Sequence, residues 1–339
     1  MYHFCTYFDQ HYLDKGLALY HSLTAHCSPF RLWILCMDEI TYGILMEMKL
    51  PRVQLISLLD FESDDPRLLD AKQNRSLIEY YFTCTPSLPL YVMDHDPEVD
   101  IITYVDADLY FFSSIEPIFQ ELGNLSVLII GHRFPPSLKY REIFGIFNVG
   151  MLSFRRDNNG LECLHWWRDR CLEWCYDRIE NDRFADQKYL DDWPDRFAGV
   201  VVLEQKGAGL APWNLANYVY SGKNTELLID GQPIILYHFH GVKRINRWLY
   251  DTNVIEYEIR LPEIVKQRLY TPYLMELNQV NHHLEKYFGN NFWKNQSIRG
   301  PIEAHISLQK KICNMLKTWR YPLKYFQKCV NNDLILNWK

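Results

Sequence analysis

Twelve residues, IITYVDADLYFF (101–112), constrain this chain more than any other stretch. An apolar, β-branched run enters Asp106-Ala107-Asp108, and aliphatic and aromatic residues follow at once. Such a run reads as a buried strand. Two carboxylates inside it are costly unless they are paired or hold a cation. In open α/β sheets ligands gather at the carboxyl ends of strands, and two acids one residue apart at that rim suit one hard cation. D-x-D alone is a short pattern that recurs by chance; its place at a strand end gives it weight.

The rest of the first half alternates short apolar runs with helical patterns, which predicts an α/β fold with a mainly parallel sheet flanked by helices. HFCTYF (3–8), RLWILCM (31–37), VQLIS (53–57), SVLIIG (126–131) and FGIFNVGMLSFRR (144–156) read as strands. Residues 13–27, 42–50 and 162–179 read as helices, and 72–94 as a helix interrupted near Pro86 and Pro89. VVLEQ (201–205) and PIILYHFHG (233–241) read as later strands. Beyond Trp248 the pattern turns helical, aromatic and basic, so the expected division is a catalytic domain over 1–250 and a helical C-terminal region over 251–339.

Charge excludes one class of partner. The formal net charge is −6, yet residues 291–339 hold nine Lys/Arg against two Asp/Glu, or +7, which leaves −13 on the remainder. An acidic body argues against nucleic acid, whose phosphates need a basic face. Nine cysteines without a C-x-x-C pair point away from a disulfide framework and towards the cytoplasm. No leader pattern and no apolar run of about 18 residues is visible, so membrane contact is expected to be peripheral at most.

A second run, IILYHFHGVK (234–243), again carries an apolar strand into polar residues. His238 and His240 alternate onto one side and are candidate ligands for the same cation. Gly241 permits close backbone approach to a diphosphate, and Lys243 offers it a point charge.

Taken in order, these motifs resemble the GT-A fold glycosyltransferases, above all the glycogenin-like family 8, over roughly residues 3–245. FCTYFDQHYLDKGLALYHSL is similar to that family's first strand and helix, VDADLYFF to its D-x-D strand, FNVGMLSFRRD to its N-x-G strand, FADQKYLDD to its D-Q segment, and HFHGVK to its closing H-x-x-G-x-x-K-P-W motif. The resemblance implies a divalent cation, Mn²⁺ or Mg²⁺, on Asp106, Asp108 and His238. It places Thr6, Tyr7 and Phe8 near the base of a nucleotide sugar, UDP-sugar favoured, and Asp9 near the ribose or base. Lys72 or Arg75 would reach the phosphates or sugar. Ala107 lies within the cation motif, Asn148 would touch the sugar, and Asp186 and Gln187 would flank its reacting carbon. This chain has G-x-K where the family has G-x-x-K, and Arg244-Ile245 stands in place of Pro-Trp. Lys243 is therefore the loosest match, and His240 competes with His238 for the cation.

The implied chemistry breaks a sugar–phosphate bond through an oxocarbenium-like state, with a hydroxyl of a glycan or lipid-linked acceptor taking the sugar. The family favours retention; the residues alone leave inversion open. The alternatives are a sugar-nucleotide pyrophosphorylase, disfavoured because no glycine precedes Gly16, and a non-catalytic nucleotide- or sugar-binding module. GAGLAPWNLANY (207–218) reads equally as a sugar-side loop or a surface turn with a buried Trp213. Cys163, Cys171 and Cys175 read as small buried hydrophobes. The basic aromatic stretch 307–330 favours contact with an anionic membrane surface.

Overall fold

A computed structural model describes residues 1–223, 226–246, 249–289 and 334–336. Met1–His238 forms one compact unit and the chain from Phe239 forms a second. The tail segment 307–330, with its expected membrane contact, lies outside the described residues.

The strands of the first unit are β1 (Tyr2–Phe8), β2 (Phe30–Cys36), β3 (Val53–Ser57), β4 (Ile101–Val105), β5 (Leu109–Phe111), β6 (Val127–Gly131), β7 (Phe147–Arg155) and β8 (Val200–Val202). All but β5 join one seven-stranded sheet in the order β3-β2-β1-β4-β7-β6-β8. β7 runs antiparallel to β4 and β6, and the other pairings are parallel. The sheet is therefore mixed, mostly parallel and flanked by helices, in agreement with the expected α/β fold with a mainly parallel sheet. The helices include α1 (Leu13–His26), α2 (Glu39–Met48), α3 (Leu58–Asp64), α4 (Arg67–Lys72), α5 (Leu77–Cys84), α6 (Ser87–His95), α7 (Glu116–Leu122) and α8 (Asn158–Glu173). Helices on both faces explain why the central strands read as near-continuous apolar runs. Trp33, Leu35, Tyr104, Phe154, Trp167 and Trp193 belong to one buried cluster.

The strand order also locates the crevice. From β1 the chain steps outward to β2 and β3, then returns to the other side of β1 as β4. The order thus reverses between β1 and β4, and an open sheet binds ligands at such a switch point, beyond the carboxyl ends. Phe4 and Cys5 pair with Thr103 and Tyr104, so Tyr7 and Asp106 emerge at neighbouring strand ends.

Several expected elements are shorter or divided, among them the strand 201–205, observed as Val200–Val202, and the helix 162–179, which ends at Glu173; three others bear on the site. Residues 101–112 are two strands: Leu109 N donates to Asp106 O at 3.1 Å, a turn that lifts β5 out of the main sheet. β5 instead pairs antiparallel with a later strand, Leu236–His238, placing His238 opposite Leu109. The stretch 72–94 contains the separate helices α5 and α6, because Pro86 has no N–H to continue the ladder. Ser76 and Glu79 close a capping box that starts α5 afresh. The 233–241 strand is confined to Leu236–His238, beyond which Gly241 takes φ +77°. GAGLAPWNLANY is followed by a small three-stranded sheet, β9 (Tyr220–Lys223), β10 (Glu226–Ile229) and β11 (Gln232–Pro233), and the strand bearing His238 is β12 (Leu236–His238).

The second unit pairs Lys243–Arg244 with Leu249–Asp251, which also pairs with Leu334–Leu336. A helix over Thr271–Phe288 follows the helical expectation for this region, and Phe239 stacks on Tyr273 with ring centroids 3.7 Å apart. Among the described residues seven cysteines are free and buried, Cys163, Cys171 and Cys175 included, as small hydrophobes would be. No described helix is long and apolar enough to cross a membrane.

α8 leaves β7 through a tight corner. The Asp157 side chain accepts from Gly160 N at 2.8 Å, and a Cβ at Gly160 would lie 2.2 Å from the Arg155 carbonyl oxygen. Gly160→Ala is expected to cost about 1–3 kcal/mol, as overpacking against fixed backbone does. Urea unfolding would show it as a lower midpoint at unchanged slope.

Candidate active site

β4 delivers Asp106, whose backbone N donates to Gly150 O of the neighbouring β7 at 2.8 Å. Its carboxylate accepts from Tyr104 OH at 2.7 Å. Asp108 follows in the turn, buried, while Asp106 keeps a third of its side chain open. β12 brings His238 down on both: Nε2 stands 3.0 Å from Asp108 Oδ1 and 3.7 Å from Asp106 Oδ2. Burial pushes Asp106 up, His238 opposes this, and Asp108 adds to it, leaving the carboxyl above its ordinary range. Burial alone would lower His238, but Asp108 and Asp106 outweigh it and raise the imidazole.

The N-x-G of β7 has a steric reason. Asn148 Oδ1 accepts from Gly150 N at 2.8 Å, curling the side chain back along its own strand. A Cβ at Gly150 would stand 2.5 Å from that oxygen and 2.8 Å from His238 Nδ1. Glycine lets the imidazole lie against bare backbone. Asn148 Nδ2 also approaches His132 Nε2 at 3.4 Å.

Beneath them, the segment 207–218 is scaffold. Asn214 Nδ2 donates to His132 O and Gly209 O at 3.0 and 2.9 Å. The Trp213 ring sits edge-on to His238 and to His132, each at 5.2 Å. Trp213 is buried, as one of the two readings of this loop expected, though residues 207–215 are mostly buried and form no surface turn; its ring backs the imidazole.

Asp186 lies beside β1. Its backbone oxygen accepts from Trp167 Nε1 at 2.8 Å, and Ala185 before it holds φ +45°, a conformation that costs a non-glycine residue about 1 kcal/mol or more. Burial pushes the Asp186 carboxyl up to about 7, with the Thr85 hydroxyl opposing and Asp106 contributing. Thr85 is wholly buried, and its Oγ1 is 3.2 Å from Tyr7 OH. Tyr7 also meets the rings of Tyr81 and Tyr104. Gln187 Nε2 donates to Phe144 O at 2.9 Å.

Other candidates are drawn into the fold. Asp9 caps the turn before α1, accepting from His11 N at 2.9 Å and Tyr81 OH at 3.1 Å. Phe8 is buried against Gly16, Thr6 is wholly buried in β1, and Ala107 is buried between the acids. Lys72 pairs with Glu62 at 2.6 Å. Arg75 donates to Leu172 O and Glu173 O at 3.4 and 3.3 Å and lies 3.9 Å over the Tyr176 ring. His240, Gly241 and Lys243 belong to the second unit, where His240 and Lys243 are exposed.

Known proteins bear on this geometry. The chain is 31% identical over 290 residues to the uncharacterized protein YfnD of Bacillus subtilis (strain 168), covering 85% of this chain and 92% of YfnD. It is 33% identical over 251 residues to YfnF of the same organism, covering 72% of this chain and 82% of YfnF. The chain belongs to the family of YfnD and YfnF. No family model matches it. Among solved structures, the galactosyltransferase LgtC with donor and acceptor sugar analogues is similar over 79% of this chain and 96% of LgtC, at 15% identity and a TM-score of 0.47.

Several site residues of this family member escape the sequence patterns: Tyr104, Thr85, His132 and Lys15. Tyr104 and Thr85 hide in apolar stretches, and His132 follows a strand without a motif. Lys15 stands two residues from both Leu13 and Leu17, on the other side of the helix from them, so the pattern reads it as solvated.

The raised Asp186 carboxyl has a consequence for stability. The fold favours its protonated form, so the contribution is full below the ordinary value of 3.8 and is lost as pH rises to about 7. Urea midpoints of wild type should therefore fall relative to Asp186→Asn between about pH 4 and 7 and run parallel above. A difference that does not change with pH would show that Asp186 titrates as an ordinary carboxylate.

Proposed function

We propose that this chain is a metal-dependent glycosyltransferase, related to the glycogenin-like family 8, that moves a sugar from a nucleotide diphosphate, UDP-sugar favoured, to a hydroxyl of a glycan or lipid-linked acceptor. The observation that carries this reading is the meeting of Asp106, Asp108 and His238 at the switch point of the sheet, with His238 Nε2 3.0 Å from Asp108. Two crowded carboxylates and an imidazole are a donor set in search of a cation. Mixed oxygen and imidazole donors suit Mn²⁺ better than Mg²⁺. His240, two residues along the chain, is the further candidate ligand. Asp106, Asp108 and His238 would hold a divalent cation there, and it would supply neutralisation of the charge on a leaving diphosphate.

The chain's own residues supply the rest. His238 is kept in register by β5 and backed by Trp213, so the ligand geometry is preorganised. Tyr104 holds one oxygen of Asp106 and orients the other. Tyr7, at the mouth of β1 between the rings of Tyr81 and Tyr104, offers an aromatic surface to a base. Asn148 is held along β7 for contact with the sugar. Asp186 titrates near neutrality, and its ionised form stabilises the positive charge of an oxocarbenium-like state. Gln187 flanks it. Attack from the leaving-group face, with retention, follows from the family resemblance. The activity is placed in the cytoplasm, where sugar nucleotides are available, with peripheral membrane contact through 307–330.

Thermal-shift screening of nucleotide sugars with Mn²⁺ tests this. A ligand at about 100 times its Kd adds roughly 2.7 kcal/mol of stability. The true donor should raise the melting point of wild type only with the cation, and Asp108→Asn should lose most of that shift. If no nucleotide sugar stabilises the wild type, or the variant responds identically, the reading is wrong.

A further inference from the structure

Lys15 is an unusual residue for its position. It sits in the first turn of α1, only 8% exposed, with its ammonium 4.0 Å over the Tyr12 ring. α1 packs on β5, the strand that begins beside Asp108. Burial alone would strip a lysine of its proton. Here Tyr12, Asp108 and Asp14 reverse that and hold the ammonium charged. The Lys15 charge also opposes protonation of His238.

We infer that Lys15 is the cationic anchor for the donor's diphosphate, a role that rests on the glycosyltransferase reading. In the resting protein Lys15 answers the charge of Asp108. A divalent cation on Asp106 and Asp108 takes over that task, because its two charges match the two carboxylates. The ammonium, which keeps Asp14 as its acidic neighbour, is then released from Asp108 and stands near the cation, where a doubly anionic diphosphate must lie. The other cations considered for this role are engaged: Lys72 with Glu62, and Arg75 with the carbonyls ending α8. Lys243 is exposed in the ribbon of the second unit and follows a shortened G-x-K spacing. Lys15 is also short of freedom: its side chain is buried and its ammonium lies against the Tyr12 ring. An ammonium so fixed loses little entropy on meeting phosphate.

The test is calorimetric, on the full chain. Wild type, Lys15→Met and Lys15→Arg are titrated with Mn²⁺ alone, with uridine, and with UDP in the presence of Mn²⁺; GDP, ADP and dTDP replace UDP if another base is preferred, with the matching nucleoside. Lys15→Met should weaken nucleoside diphosphate binding tenfold or more, leave nucleoside binding within about threefold, and leave Mn²⁺ binding equal or tighter, since a positive neighbour of Asp108 is gone. Lys15→Arg should recover part of the loss. Equal diphosphate binding by Lys15→Met overturns the assignment. So does a parallel loss of Mn²⁺ and nucleoside, which marks a structural counter-ion. If wild type binds no nucleoside diphosphate with Mn²⁺, the glycosyltransferase reading falls first and this role falls with it.

Discussion

The close approach of a buried imidazole to two carboxylates is the interaction around which the first unit is arranged. His238 reaches Asp108 at 3.0 Å only because β5 leaves the main sheet to pair with β12 and because Gly150 has no side chain. The Asp106–Leu109 turn frees β5. The antiparallel β7 sets Asn148 and Gly150 beside that turn, with Asp106 N bonded to Gly150 O. A parallel strand in β7's place would run its residues the other way and present its opposite end to the carboxylates.

The fold was legible where one physical signal dominated. Runs such as RLWILC and SVLIIG, buried on both faces, admit little besides an interior strand, and they are strands. The carboxylates were legible because acids are rare in such runs. What stayed hidden depended on pairing between distant segments. Nothing in LYFF announces that it leaves the sheet for residues more than a hundred positions away. Pro86 announced a break in 72–94, but the restart of α5 at Ser76 comes from a capping box whose weight the helical pattern masked.

The site divides the same way. Asp106, Asp108, Asn148, Asp186 and His238 lie in motifs, and the structure gathers them at the strand ends of one unit. Lys72 and Arg75 have the right charge on the right stretch of chain, yet their partners, Glu62 and the C-terminal carbonyls of α8, are chosen by packing that no local pattern records. Asp9 was legible as an acid after a strand; that its side chain also caps the turn before α1 was not. Lys15 was overlooked because a lysine in a helix is ordinarily solvated, and only tertiary packing shows this one beneath the surface.

Asp186 shows why such a site costs the fold something. Its carboxyl is buried near Asp106, which favours the neutral acid, and Ala185 carries a backbone conformation that suits glycine or asparagine better. The segment holds because Ala185 N donates to Tyr176 O and Trp167 Nε1 clamps the Asp186 carbonyl. Trp167 in turn packs against Phe154 and Trp193, so a strained turn is secured by an aromatic cluster of the core. A chain under pressure for stability alone would relax the turn with glycine and replace the acid with an amide. A buried acid and a left-handed alanine, held together against a packed aromatic core, are the departures from local preference that the role proposed for Asp186 asks of the fold.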